Sequence, residues 1–392
     1  MKISGVGCCL IDYVYTDFRY ENKEFRKLQS RTPGDGGMIT GGLVFSEDIE
    51  EFAGEPYEAL LKKLVGDQQP DVSNLGGPSV VALVHASQMV ADARVTYYGG
   101  IGDDLQGTQV RKFLSKTPIN PQLKIYPGEH TSSTWVFSDP THFGGKGERS
   151  FVNTIGAAGS YRPEDIPDEC YDADILLAGG TALVPRIHDG LGTIVSKARE
   201  RGCFTIVGTV YDFRNQKKNP EAPWPLGGDD TYRYIDLLVT DAEEALRLTG
   251  TEDLKDAAER FISYGVKSLI ITHGAQDVLV WSGGERFAPC QLRTMPVSKY
   301  IDDVLEEHPE KRKDSTGCGD NFVGGVIASL AMQLEADRDT LPDILDACAW
   351  GAASGGFTCM YHGGTYYETQ QGEKREAIIP VVEAYKTQAG LL

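Results

Sequence analysis

The chain has 392 residues, 41% of them hydrophobic and 24% charged, a length that suits one large unit with an appended subdomain better than two full domains, so residues 1–392 are read as a single domain. With 38 basic and 57 acidic residues the net charge is −19, which repels nucleic acid and anionic membrane at long range yet leaves room for a local phosphate pocket lined by backbone amides. No run approaches the roughly 18 to 20 apolar residues of a membrane span, the opening MKISGVGCCLID lacks a signal-peptide pattern, and the eight cysteines hold no CxxC pair, so reduced thiols in a cytoplasmic protein are expected.

Residues 3–9 read as the first strand, with Asp12 at its end. Residues 13–72 follow as a polar, weakly periodic stretch that is glycine-rich at Gly34, Gly36, Gly37, Gly41 and Gly42. Helical spacing at 80–90, an apolar strand at 95–98 and a helix at 105–114 come next. Residues 131–155 carry short β-like stretches around 135–137 and 149–153; with residues 13–45 they are expected to form a small β lid above the core. Further strands are read at 175–178, 204–210, 237–240, 268–272 and 278–281, alternating with helices at 187–201, 242–248 and 254–264. Residues 299–313 read as a charged connector, and the last third adds helices at 321–333, 342–358 and 380–387. Apolar strands alternating with helices predict an α/β fold, a doubly wound, mostly parallel sheet covered by helices on both faces, with ligands at the carboxyl ends of its strands.

The segment most informative about chemistry is DSTGCGDNF, residues 314–322. Phe322, Val326 and Leu330 recur at helical spacing beyond it, so Gly317 and Gly319 bracket a helix start. Backbone N–H groups are unpaired there and the macrodipole is positive, which makes an anion cradle. Asp320 places a carboxylate within it, and Asp314 lies across the turn. A proton acceptor beside an anion cradle is what phosphoryl transfer to an alcohol requires. The same aspartate would also serve as a plain helix cap.

Other stretches extend the pattern. The stretch resembles the C-terminal signature D-T-x-G-A-G-D-x-F of the ribokinase-like (PfkB) family of carbohydrate and nucleoside kinases, departing at Ser315 and Cys318. Gly76-Gly77-Pro-Ser-Val-Val-Ala82 resembles that family's G-G-x-x-x-N-x-A motif, residues 99–107 its G-x-I-G-D-D-x-x-G stretch, Gly147-Glu148-Arg149 its G-E-R element, Asp241-Ala-Glu-Glu244 its N-x-x-E motif, and Thr272-His273-Gly274 its T-x-G element. The resemblance implies an ATP-dependent kinase acting on a small sugar, ribose- or fructose-like, or alternatively on an adenosine-like nucleoside. It implies Asp320 as catalytic base and the amides of Gly317, Cys318 and Gly319 as the anion hole. Asp12, Gly76, Gly77, Asp314 and Glu148 would bind the acceptor. Asp241, Glu244, Thr272, Gly274, Gly351, Ala352 and Gly363 would lie against ATP, with Glu244 holding Mg²⁺ through water. A K⁺ ion beside the cradle and a homodimer formed through the lid are further expectations of the resemblance. Three features depart from it: Val81 stands where asparagine is expected, with nearby Asn74 not preferred as its substitute, Asp241 replaces asparagine, and the segment before Gly76 is long. A non-catalytic sugar- or nucleotide-binding protein is the rival reading; a serine hydrolase is weaker, since no nucleophile elbow is present.

Overall fold

Fourteen strands are found in the computed structural model, which describes every residue except 33, 143–147 and 314. In chain order they are β1 (Lys2–Gly7), β2 (Leu10–Tyr15), β3 (Leu43–Phe45), β4 (Val72–Gly76), β5 (Arg94–Gly102), β6 (Asn120–Tyr126), β7 (Ser133–Asp139), β8 (Glu148–Thr154), β9 (Ile175–Gly179), β10 (Phe204–Gly208), β11 (Leu237–Asp241), β12 (Ser268–His273), β13 (Gln276–Ser282) and β14 (Cys290–Met295). Nine form the main sheet in the order β14-β13-β12-β11-β10-β9-β1-β5-β6. It is parallel from β12 through β6, and the β13–β14 hairpin adds two antiparallel strands.

The central strands are apolar throughout because both faces are covered. Alternate side chains enter two different cores. Ile3, Ile175 and Leu177 join one cluster with the helices Pro78–Met89, Cys318–Ala336, Ile344–Thr358 and Glu373–Ala389. Val6, Leu176 and Ala178 join the other, with the helices Leu191–Glu200, Ala242–Thr249 and Leu254–Tyr264. Among the described residues no helix is long and apolar enough to cross a membrane.

Only Cys8 and Cys9 separate β1 from β2, which starts a second, five-stranded sheet of order β3-β8-β7-β2-β4. Asp12 therefore lies inside a strand of this second sheet, not at the end of the first strand. Alternation gives the sheet two unlike faces. Tyr15, Phe137, Val152 and Val44 point outward into a cluster with Phe25, Ile49, Tyr57, Leu60 and Leu64, supplied by the helices Lys23–Leu28, Ser46–Ala53 and Tyr57–Val65. Asp12 pairs in register with Asn74 and with Thr134, and by alternation these three, with Arg149 and Phe45, belong to the opposite face.

Several elements differ from the sequence expectation. Residues 13–72 hold three helices as well as strands, since their apolar seams are short and interrupted by polar turns. The charged connector contains a helix, Lys299–Glu307, whose buried Ile301 and Leu305 are an i, i+4 pair hidden among charges. The 187–201 helix breaks in two at Gly190. The last helix begins at Glu373 behind a Gly372 cap and carries Pro380 in its interior. The edge strands β6 and β14 alternate polar and apolar residues and so lack the apolar run of a central strand.

Phe25 is fully buried at the centre of the helical cover. Replacing it with alanine should destabilise the protein by about 3–5 kcal/mol, read as a lower midpoint in urea unfolding followed by fluorescence.

Candidate active site

The cradle forms at the start of the Cys318–Ala336 helix. Gly317 caps it with φ of +76°, and a Cβ added there would lie 2.4 Å from the Cα of Gly364. Only glycine meets both conditions. The two turns are tied together by Asn321, whose Nδ2 donates to the carbonyls of Gly317 and Gly364, both at 2.8 Å. Asn321 Oδ1 in turn accepts from Lys374 Nζ at 2.8 Å. Lys374 is 1% exposed and lies beside the rings of Tyr361 and Tyr366. Burial pulls its ammonium well below the usual lysine range. Among the described residues no carboxylate lies within ion-pair distance of it. The sequence reading missed this lysine: in a run of charges, nothing marks one as buried.

The Cys318 N–H closes a turn on Ser315 O at 3.2 Å, so this amide is committed within the turn and does not face the cradle. The N–H groups of Gly319 and Asp320 have no acceptor among the described residues, and they are the open donors. Asp320 is partly exposed at the mouth of the cradle, and the surrounding protein pushes its carboxyl up to about 6 through burial.

Opposite the cradle, Asp12 reaches over Gly76: a Cβ on Gly76 would fall 2.1 Å from Asp12 Oδ2. Gly77, with φ of +107°, starts the Pro78–Met89 helix against the carbonyl of Cys8. The buried Cys8 thiol is pushed up first by burial, then by Cys9, Asp12 and Asp320, so both aspartates lie within electrostatic reach of it. Asn74 does not stand in for the missing motif asparagine. Its Nδ2 donates to His362 O and Thr365 O, both at 3.1 Å, and its Oδ1 accepts from the Leu75 amide. Val81 is buried and packs on Gly364. Asp314 and Gly147 lie outside the described residues.

By strand parity Glu148 shares a face with Ser150 and Val152; its carboxylate lies 3.2 Å from a Cβ built on Gly41 and helps to push up the Tyr20 hydroxyl behind the larger effect of burial. Its neighbour Arg149 faces the site instead. The Arg149 guanidinium donates to Thr316 Oγ1 at 2.8 Å and to Ser315 Oγ at 3.2 Å, joining the second sheet to the cradle turn.

On the remaining side, Glu244 is buried while Glu243 is exposed. Burial and the neighbouring Asp241 carboxylate raise the Glu244 carboxyl, which also feels Asp320 and accepts from the Thr209 hydroxyl. Asp241 caps the Ala242–Thr249 helix, accepting from the Glu244 amide at 2.8 Å. Thr272, the last residue but one of β12, lies beside Thr240, and Gly274 has φ of +57° in the hairpin that follows. Gly363, with φ of +77°, lies against the Asn74 amide. Ala352 is partly exposed. Gly351 is buried, and a Cβ there would be 2.9 Å from the Phe322 ring, so it seats one helix on another and does not border an open pocket. Among the described residues no three His, Cys, Asp or Glu side chains converge as a metal cage. Glu244 has Asp241 and Asp320 for anionic neighbours, and an incoming cation would favour the ionised form of such a raised, buried carboxyl.

A cavity of about 1030 Å³ opens from Glu244 between the two sheets. Phe45, Phe151, Tyr211 and Phe213 line it, below the glycine-rich 34–42 loop.

The profile described as pfkB family carbohydrate kinase matches residues 55–370. The chain belongs to the pfkB family of carbohydrate kinases. This pfkB protein is 36% identical over 94 residues to a cytidine kinase of Thermococcus kodakarensis, which covers 24% of this chain and 29% of that one. It is 26% identical over 223 residues to a ribokinase of Staphylococcus aureus, covering 54% of this chain and 60% of that one. The match thus spans less than two thirds of the length of either relative. Its fold is similar to that of adenosine kinase from Sinorhizobium meliloti, with a TM-score of 0.70 at 18% identity over 96% of this chain and 99% of that one.

Gly317→Ala adds a methyl group where the Gly364 backbone already lies, in a conformation alanine avoids. Binding of ATP, followed by isothermal titration, should weaken by about 10²-fold, the scale expected when a site is displaced by an ångström, while far-ultraviolet circular dichroism stays unchanged.

Proposed function

We propose that the protein transfers the γ-phosphoryl group of ATP to a hydroxyl of a small polyol. One observation carries this reading: Asp320, a carboxyl raised to about 6 by burial, lies in the first turn of a helix beside the open amides of Gly319 and Asp320. Asp320 takes the hydroxyl proton as the acceptor oxygen attacks. The two amides and the Arg149 guanidinium lie where charge develops on the transferring group. Asp12 and the Gly76 turn orient the acceptor. Thr272, Gly274, Ala352 and Gly363 border the nucleotide. Glu244 would hold Mg²⁺ together with the ATP phosphates, and the metal would neutralise phosphate charge there.

The acceptor is proposed to be a sugar, ribose- or fructose-like, in keeping with the ribokinase relative. The four aromatic walls of the cavity favour a second acceptor, a nucleoside, whose base they would stack. Among the described residues no lysine or arginine other than Lys217, which is paired with Asp48, lines that cavity, so a phosphorylated sugar is disfavoured. A panel of sugars and nucleosides in an ADP-release assay separates the readings; binding of a panel member without ADP release from any of them would favour a non-catalytic protein. A homodimer through the second sheet is also proposed. Its contact would run along the β3 edge, because helices cover the outer face; a monomer on sizing chromatography at micromolar concentration removes this idea.

Asp320→Asn keeps the shape and removes the base, so turnover should fall by about 10²–10⁴-fold, and near-normal turnover in folded protein would sink the assignment. The base must be ionised to work, and its pKa is raised, so activity is lost as pH falls through the raised value. The acid limb of kcat/KM should therefore have its midpoint near the value of about 6 carried by Asp320. A limb at the ordinary aspartate value of about 4 would mean that a different group is titrating.

A further inference from the structure

The cysteine that replaces the family's alanine in the cradle has a neighbour that the sequence does not reveal. Cys318 is the first residue of the Cys318–Ala336 helix, and Cys359 caps the end of the Ile344–Thr358 helix, 41 residues later. Their Sγ atoms are 3.5 Å apart. Both residues are partly exposed, whereas Cys8, Cys9, Cys170, Cys203 and Cys348 are buried. Cys318 also occupies the positive end of a helix, where a negatively charged sulfur is favoured.

The surroundings couple this pair to the cradle. Cys318 lies between the capping Gly317 and the open amide of Gly319. Lys313, just before the DSTGCGD turn, donates its N–H to Cys359 O at 2.8 Å. A Cβ on Gly355 would sit 2.9 Å from Cys318 O. The turn and the end of the Ile344–Thr358 helix are thus already in backbone contact, and little motion is needed to join them covalently.

We propose that Cys318 and Cys359 form a site of reversible oxidation, in which an intramolecular disulfide locks the anion cradle. With a peroxide as oxidant the step balances. The Cys318 thiolate attacks one peroxide oxygen, the O–O bond breaks, and hydroxide leaves to give a sulfenic acid. The Cys359 thiol then attacks that sulfur, the S–S bond forms, and the sulfenic oxygen leaves as water. Two thiols and one hydrogen peroxide yield one disulfide and two waters. Closing the sulfurs from 3.5 Å to a bond of about 2.05 Å draws residue 318 toward the neighbouring helix. Ångström-scale displacement at such a site is enough to lose roughly 10²-fold in rate. A dithiol reductant reverses the bond by exchange.

The modification itself stands apart from the kinase reading; only its effect on turnover rests on it. The full chain is treated with stoichiometric hydrogen peroxide, alkylated, digested without reduction and mapped by mass spectrometry. In parallel, turnover is measured before oxidation, after it, and after dithiothreitol. A linked 318–359 peptide, a fall in turnover of about 10²-fold and recovery with dithiothreitol are expected. Cys359→Ser, whose side chain takes no part in the cradle, should retain basal turnover and resist reversible inactivation. A linkage between other cysteines, irreversible oxidation only, or equal inactivation of Cys359→Ser would overturn the proposal. Should the untreated protein phosphorylate nothing, peptide mapping still decides the disulfide, while the absent turnover counts against the kinase reading alone.

Discussion

The site depends on holding two backbone turns at van der Waals contact without allowing them to drift. One turn begins the helix that carries Asp320, and the other is the 361–365 loop. Each ends in a carbonyl that would otherwise repel its counterpart. The Asn321 amide resolves this by donating to both carbonyls. The buried ammonium of Lys374 holds the other end of the same side chain. An unpaired charge in such a place is expensive, and Lys374 is tolerated because it has oxygen acceptors and two aromatic faces around it.

Around this junction the two sheets take different parts. The main sheet brings Glu244 and Thr272 to the carboxyl ends of its strands, where a doubly wound sheet opens a crevice. The second sheet presents Asp12 and Arg149 from its inward face. Arg149 is the direct link, since its guanidinium bonds the hydroxyls of the cradle turn. The second sheet can do this because its outward face is stabilised separately, by helices that the chain itself contributes.

The cradle was legible in the sequence because everything that makes it is local: two glycines, a carboxylate, and an apolar helix seam within a few turns. The central strands were legible because burial on both faces leaves long apolar runs. Contacts between distant segments were not. Glu148 was preferred to its neighbour because charge type alone cannot reveal which face of a strand a residue occupies, and one step of register reverses the answer. Asn74 looked available as a ligand, yet its hydrogen bonds go to residues nearly three hundred positions away. Lys374 lay unnoticed in GEKRE, and Ile301 and Leu305 lay unnoticed among acidic residues, because two or three apolar atoms in a charged run leave no period to detect.

The floor of the site is built mainly from main chain. Gly76 meets Asp12, Gly77 meets Cys8, Gly317 meets Gly364, and Gly363 meets Asn74, each at distances that leave no space for a methyl group. Such a floor cannot be retuned by point substitution, because any side chain there collides before it can interact with a ligand. Inheritance can act on the walls instead, on residues such as Ile39, Phe45, Tyr211, Phe213 and Gln216, which are not fully buried and border the open cavity. A lineage of this architecture would therefore diverge in what it accepts while its floor stays fixed, with drift in preference recorded in the walls and descent recorded in the glycines.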